Sequence, residues 1–202
     1  MSQALDDLRA EHCFMSKLLD MLQTQVRLVA EDKSPDSQLL LEIAQYFTGF
    51  PDLFHHPKED LIVSRLVTLH PEALESVQGL ASDHEEGGRE LKRFIRAVVR
   101  LILDPEADQE RFLSAALAFM ESERRHMAWE ENSFFKIAEK ALSPRDWEAI
   151  DQRLRAFINP ICQREARTRY KRIEHAYQAW QRFYVARAAV EDRAEKGPLR
   201  RP

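Results

Sequence analysis

The chain has 202 residues, of which 44% are hydrophobic and 32% charged, and its formal net charge is −4. This composition supplies a hydrophobic core and is too apolar for a disordered chain. No apolar run reaches the length of about 18 residues that a membrane span requires, and acidic residues in the first turns argue against a signal peptide. The two cysteines, Cys13 and Cys162, form no disulfide framework. We therefore expect a cytoplasmic protein.

Helical periodicity runs through the whole chain, and the alternation typical of β-strands is absent. Proline-marked turns divide this pattern into segments. The predicted helices span about 2–31, 36–68, 71–103, 107–141, 143–158 and 161–195. Four helices of roughly 30 residues joined by short turns predict an all-α, up-down-up-down four-helix bundle. We assign residues 1–142 to this bundle and residues 143–202 to a C-terminal helical extension.

Two short clusters share one spacing of chemically active residues. HHPKED at 55–60 and HMAWEE at 126–131 each contain His-x-x-x-Glu, as His55/Glu59 and His126/Glu130. A spacing of four places both side chains on one face of a helix, within reach of a common ion.

The two clusters belong to a longer internal repeat. His12 precedes His55 by 43 positions and His84 precedes His126 by 42, so the chain repeats one His and one His-x-x-x-Glu. Two such helical hairpins would bring four imidazoles and two carboxylates together in the core, where polar groups without partners are costly to bury. This set suits two cations bridged by the glutamates, with charge left for an oxide or hydroxide. Nitrogen and oxygen donors favour iron, without excluding zinc or manganese.

Four stretches of the sequence resemble the hemerythrin-like, HHE cation-binding domain, and the resemblance covers about residues 4–142. They are LRAEH at 8–12, FHHPKEDL at 54–61, DHEEG at 83–87 and HMAWEENSFF at 126–135. The resemblance implies a non-haem di-iron centre with carboxylate bridges inside a four-helix bundle. Its terminal ligands would be His12, His55, His84 and His126, and its bridges Glu59 and Glu130.

The sequence departs from the oxygen-carrying hemerythrins at one position. Those proteins carry a further histidine four residues after the third-helix ligand, and here that position is Gly88, preceded by Gly87. The glycine pair fits close helix packing or room for a small ligand. Glu123 could orient a ligand imidazole, act as an extra ligand or form an ion pair with an arginine.

Three histidines fall outside the repeat. His56 points about 100° away from its neighbour on a helix, and we interpret it as an outer-shell or surface residue. His70 and His175 have no counterparts and are expected at the surface. Pro57 is expected to disturb the helix locally, because proline removes a backbone donor.

The C-terminal extension differs in charge from the rest of the chain. Residues 163–202 hold 11 Lys/Arg against 5 Asp/Glu. The last predicted helix carries an apolar and aromatic stripe: Tyr170, Ile173, Tyr177, Trp180 and Tyr184. The stripe favours packing on the bundle or on a second chain in a homodimer. Aromatic and basic residues together also suit nucleic acid, but no recognition motif is present, so nucleic acid is not an expected partner.

These features predict a protein that binds or reacts with a small oxidant such as dioxygen, peroxide or nitric oxide. The first hypothesis is a binding protein that responds to oxygen, redox state or iron. The alternatives are a di-iron enzyme, of the peroxidase, nitric oxide scavenging or iron–sulfur repair type, and a non-redox metal storage protein. The spacing Glu123-x-x-His126 fits storage bundles, but the absence of a second Glu-x-x-His argues against that ligand set.

Overall fold

The computed structural model describes residues 2–104, 108–157, 171, 173 and 175–179, and the described residues contain helices and no strand. The α-helices are α1 (Gln3–Ala30), α2 (Ser37–Phe50), α3 (His56–Leu69), α4 (Leu74–Val77), α5 (Gly79–Leu103), α6 (Gln109–Trp129), α7 (Phe135–Ala141) and α8 (Pro144–Phe157). The π-helical turn Pro51–His55 joins α2 to α3, and the π-helical turn Glu130–Phe134 joins α6 to α7. A short 3₁₀ turn, Pro71–Ala73, precedes α4.

Four antiparallel rods form the bundle: α1, α2 with α3, α5, and α6 with α7. The helix α5 packs against α2 and α6, and α1 packs against the same two helices. Each rod therefore lies beside its neighbours in the sequence, as short connections require. The predicted all-α four-helix bundle is confirmed.

The first two rods begin at helix ends that are capped by side chains. The Ser2 side chain accepts a hydrogen bond from the Ala4 N–H at the start of α1. Asp36 accepts a hydrogen bond of 3.0 Å from the Leu39 N–H at the start of α2. Such side chains satisfy backbone donors that have no partner within the helix.

A polar layer divides the hydrophobic core into two clusters. One cluster includes Met15, Leu18, Phe47, Phe94 and Phe119, and the other includes Leu8, Ile62, Leu80, Phe134 and Ile150. On α1 the division falls between Leu8 and Met15, where His12 is itself buried. The bundle therefore places a layer of polar side chains across its middle.

Parts of the region after residue 142 contact the bundle. The helix α8 packs against α1 and α3, and its Asp151 accepts a hydrogen bond from the Ser2 hydroxyl. Ile173 is buried in the first core cluster, and the Tyr177 ring lies under the ammonium group of Lys17 at 5.5 Å.

Other expectations for this region stay predictions. Tyr170, Trp180 and Tyr184 lie outside the described residues. The division of the chain at residue 142 and the pairing of two chains through the last helix likewise remain untested expectations. Among the described helices, none combines the length and the apolar character needed to cross a membrane.

Candidate metal centre

All six residues of the predicted ligand set meet in the polar layer. One histidine comes from each of α1 and α5, and each His-x-x-x-Glu pair lies at a π-helical turn. The six are His12, His55, Glu59, His84, His126 and Glu130. His55 ends the first π turn and Glu130 begins the second. Such turns change the helical phase locally and are frequent at functional sites.

Glu59 spans two histidines that belong to different halves of the repeat. Its Oε1 lies 3.1 Å from His55 Nε2, and its Oε2 lies 3.2 Å from His84 Nε2. The carboxylate therefore presents one oxygen to each side of the polar layer.

Glu130 has the same arrangement with the other two histidines. Its Oε2 lies 3.0 Å from His12 Nε2, and its Oε1 lies 3.2 Å from His126 Nε2. The Nε2 atoms of His12 and His55 are themselves 3.1 Å apart and converge on one point. Two donor groups result, which we call the first position (around His12 and His55) and the second position (around His84 and His126).

Most of these polar atoms have no hydrogen-bond partner among the described residues. The buried atoms without one are both oxygens of Glu59, both oxygens of Glu130, Nε2 of His84 and both ring nitrogens of His126. Buried polar atoms are almost always paired, because an unmade hydrogen bond costs about 1–3 kcal/mol. Their contacts with one another are close but lack hydrogen-bond angles. A donor set of this kind fits metal ions, which would supply the missing partners.

The donor atoms form two candidate groups for metal ions. At the first position, one ligand atom each from His12, His55, Glu59 and Glu130 lies within 4.8 Å of the others, and all four residues are buried. At the second position the group contains a histidine outside the predicted ligand set: His56, His84 and His126. The His56 ring stacks on that of His84 with centroids 3.9 Å apart.

Two carboxylates outside the predicted set hold the imidazoles of the first position. His55 Nδ1 donates to Glu11 Oε2 at 2.9 Å, and His12 Nδ1 donates to Glu131 Oε1 at 3.0 Å. The buried Lys58 ammonium group in turn forms an ion pair with Glu11. Carboxylates in this role fix the ring orientation and leave Nε2 free to act as a ligand.

The electrostatics of the layer would couple the binding of a metal ion to proton release. Burial raises the pKa of Glu130 well above its ordinary value, and the charge of Glu59 raises it further. Burial opposes ionisation of Glu59 as well and is the largest single effect, but the charge of His55 and the contacts with His55, His84 and Glu130 together outweigh it and lower the Glu59 pKa well below its ordinary value. Burial alone would lower the pKa of His55, yet Glu59 and Glu11 raise it to about 9. Since ligands must lose their protons, metal binding would release protons from His55 and Glu130.

A cavity of about 70 Å³ adjoins the second position. Its lining includes His56, His84, Gly87, Gly88, Glu123 and His126. A Cβ atom at Gly88 would meet no atom within 4 Å, whereas one at Gly87 would lie 3.3 Å from Glu123 Oε1. Of the two interpretations of the glycine pair, room for a small ligand fits Gly88.

Glu123 lies at the wall of this cavity and forms no ion pair with an arginine among the residues that the structure describes. Arg124 and Arg125 form their ion pairs with other carboxylates. Burial raises the pKa of Glu123 to about 7, against the lowering effect of charges on His55 and His84. The carboxyl group can therefore hold a proton near neutral pH.

The bundle and its layer of imidazoles and carboxylates define a helical cation-binding domain. The sequence matches the hemerythrin HHE cation-binding domain over residues 3–138, so the chain belongs to this family. The predicted resemblance is thus confirmed, and the matched region contains the whole candidate centre. Comparison with curated proteins and with solved structures finds no match in either case.

Proposed function

We propose that the centre binds two iron ions. The protein would bind a small oxidant such as dioxygen, peroxide or nitric oxide and would respond to oxygen, redox state or iron. One observation supports this most directly. Glu59 and Glu130 each direct one oxygen to the first position and the other to the second position. Two bridging carboxylates with imidazoles on both sides suit a pair of like ions, and nitrogen and oxygen donors suit iron.

The chain contributes positioning, charge and access to this function. Iron, when bound, supplies the exchange of electrons with the oxidant. Glu11 and Glu131 hold the imidazoles of the first position in the orientation that ligation needs. The cavity beside Gly88 gives a small molecule a route to the second position.

An enzyme is the second candidate, and Glu123 favours it. Reduction of peroxide consumes protons, and the Glu123 carboxyl group can hold one beside the cavity because its pKa is about 7. A binding protein would be oxidised once and stop, whereas a peroxidase would turn over with an added electron donor. Peroxide consumption over many equivalents separates these two functions.

Metal content and an absorption spectrum test the proposal on protein purified aerobically without added metal. We expect two irons per chain, with the near-ultraviolet absorption of a coupled ferric pair. The variants His84→Ala and Glu130→Ala should each lose at least one ion and melt at a lower temperature. His70→Ala is the control for metal content, because the His70 ring lies outside the centre, where its Nε2 contacts the Ala141 carbonyl. Iron-free wild type, or a single zinc with a silent spectrum, would refute the redox function.

A further inference from the structure

We propose that His56 is a third imidazole ligand at the second position, so that the two ions have different ligand sets. This inference rests on the proposed function, since it presupposes a metal ion at each position. The first position would have two imidazoles, those of His12 and His55. The second would have three, those of His56, His84 and His126.

The placement of His56 beside the second position supports this assignment. Its ring and that of His84 are nearly parallel, with an interplanar angle of 22° and centroids 3.9 Å apart. Ligand nitrogens of His56, His84 and His126 all lie within 4.8 Å of one another. Neighbouring residues of a helix point about 100° apart. His55 and His56 can therefore serve adjacent ions, although they cannot serve the same one.

Asp52 orients His56 in the way that the two imidazoles of the first position are oriented. The His56 Nδ1–H donates to Asp52 Oδ1 at 3.1 Å, one helical turn back along the chain. Glu131 and Glu11 make the same contact with Nδ1 of His12 and of His55. A carboxylate on Nδ1 leaves Nε2 unprotonated, which is the state that a metal ligand needs.

The helix α5 offers no further ligand beside His84. Gly87 and Gly88 follow His84 by three and four residues, on the face where a further ligand from α5 would stand, and they have no side chains. A Cβ atom at Gly88 would meet nothing within 4 Å. The third imidazole at the second position therefore comes from α3 rather than from α5.

Anaerobic titration of the metal-free protein with Fe(II), and with Co(II) as a spectroscopic probe, tests the assignment. Wild type should bind two equivalents tightly. In His56→Ala the first equivalent should be unchanged, and the second should bind at least about tenfold more weakly. His70→Ala should match wild type. The Co(II) visible spectrum of the second equivalent should change only in the His56 variant.

Rescue by free imidazole makes the test independent of folding. In His56→Gly, imidazole can enter through the cavity and should restore both the affinity and the Co(II) spectrum of the second equivalent, with no such gain in His70→Gly. Equal binding by His56→Ala and His70→Ala, or a loss that imidazole does not restore, would refute the assignment. If wild type itself bound fewer than two ions, the proposed di-iron function would fail instead.

Discussion

Replacing Gly88 by alanine should stabilise the protein, although the residue lies beside the candidate centre. Gly88 is inside α5, where glycine costs about 1 kcal/mol relative to alanine. A Cβ atom there would meet no atom within 4 Å, so the gain should not be offset by a steric cost. We expect Gly88→Ala to raise the free energy of unfolding by about 1 kcal/mol. For a chain of this size that corresponds to a rise of about 2–4 °C in Tm.

Gly87→Ala is the matched control, because it makes the same change one residue earlier in the same helix. Its Cβ atom would lie 3.3 Å from Glu123 Oε1, so that carboxylate would have to move. We therefore expect a smaller gain or none. Urea unfolding of both metal-free variants and wild type measures the difference. A Gly88→Ala variant less stable than wild type would show that the space at this position is not open.

A larger side chain at the same position tests the use of the cavity. Leucine at position 88 would extend into the cavity of about 70 Å³ that adjoins His84 and His126. We expect Gly88→Leu to keep two irons per chain and to react more slowly with peroxide. Stopped-flow absorption measures the rate, with Gly88→Ala as the control. An unchanged rate would mean that peroxide reaches the centre by another route.

Three further predictions concern charge and metal. Glu11→Gln leaves the buried Lys58 without its carboxylate and should cost about 3–5 kcal/mol in urea unfolding of the metal-free protein, whereas Glu131→Gln, at a half-buried carboxylate, should cost less. Hydrogen bonds from Ser143 lower the pKa of Asp146 to about 2. The ionised Asp146 therefore stabilises the folded protein fully above its unfolded pKa, and this contribution is lost as the pH falls from about 4 to about 2. The stability difference between wild type and Asp146→Asn should shrink over that range. Each metal ion whose free concentration is 100 times its Kd should add about 2.7 kcal/mol to the free energy of unfolding. Removal of the metal should therefore lower Tm, which thermal unfolding measures.

The sequence was sufficient to predict the bundle and the six converging residues. The repeat of His and His-x-x-x-Glu predicts convergence because a spacing of four fixes two side chains on one helix face. The structure brings together all six residues, including Glu59 and Glu130 with their oxygens divided between the two positions. That these residues bind metal remains a prediction.

The position of His56 beside His84 and His126 could not be predicted from its angle to His55 alone. His56 does point away from its neighbour His55, as helical geometry requires. The sequence gives no sign that the second direction also faces the interior. That depends on the rotation of α3 about its axis and on the π turn Pro51–His55 that precedes it.

The imidazole partners of Glu11 and Glu131 could not be predicted from local spacing either. Glu11 is adjacent to His12 in the sequence, yet it bonds to His55 on another rod. Glu131 is adjacent to Glu130 and bonds to His12. These partners are decided by how the rods pack, which a single sequence does not specify. Carboxylates next to ligand positions are the only sequence signal that could have suggested them.

Among the three ligands proposed for the second position, His56 is the most exposed, and we expect an incoming molecule to displace it most readily. The His56 side chain is 23% exposed, against 18% for His84 and 13% for His126, and its partner Asp52 is 77% exposed. His56 lines the cavity together with His84 and His126, and it is the most exposed of the three. We therefore expect azide to bind more tightly to His56→Ala than to wild type when both are fully loaded with iron, because no imidazole has to leave. Spectroscopic titration with azide measures both affinities, and His70→Ala should match wild type. Equal affinities in all three proteins would show that azide does not compete with His56.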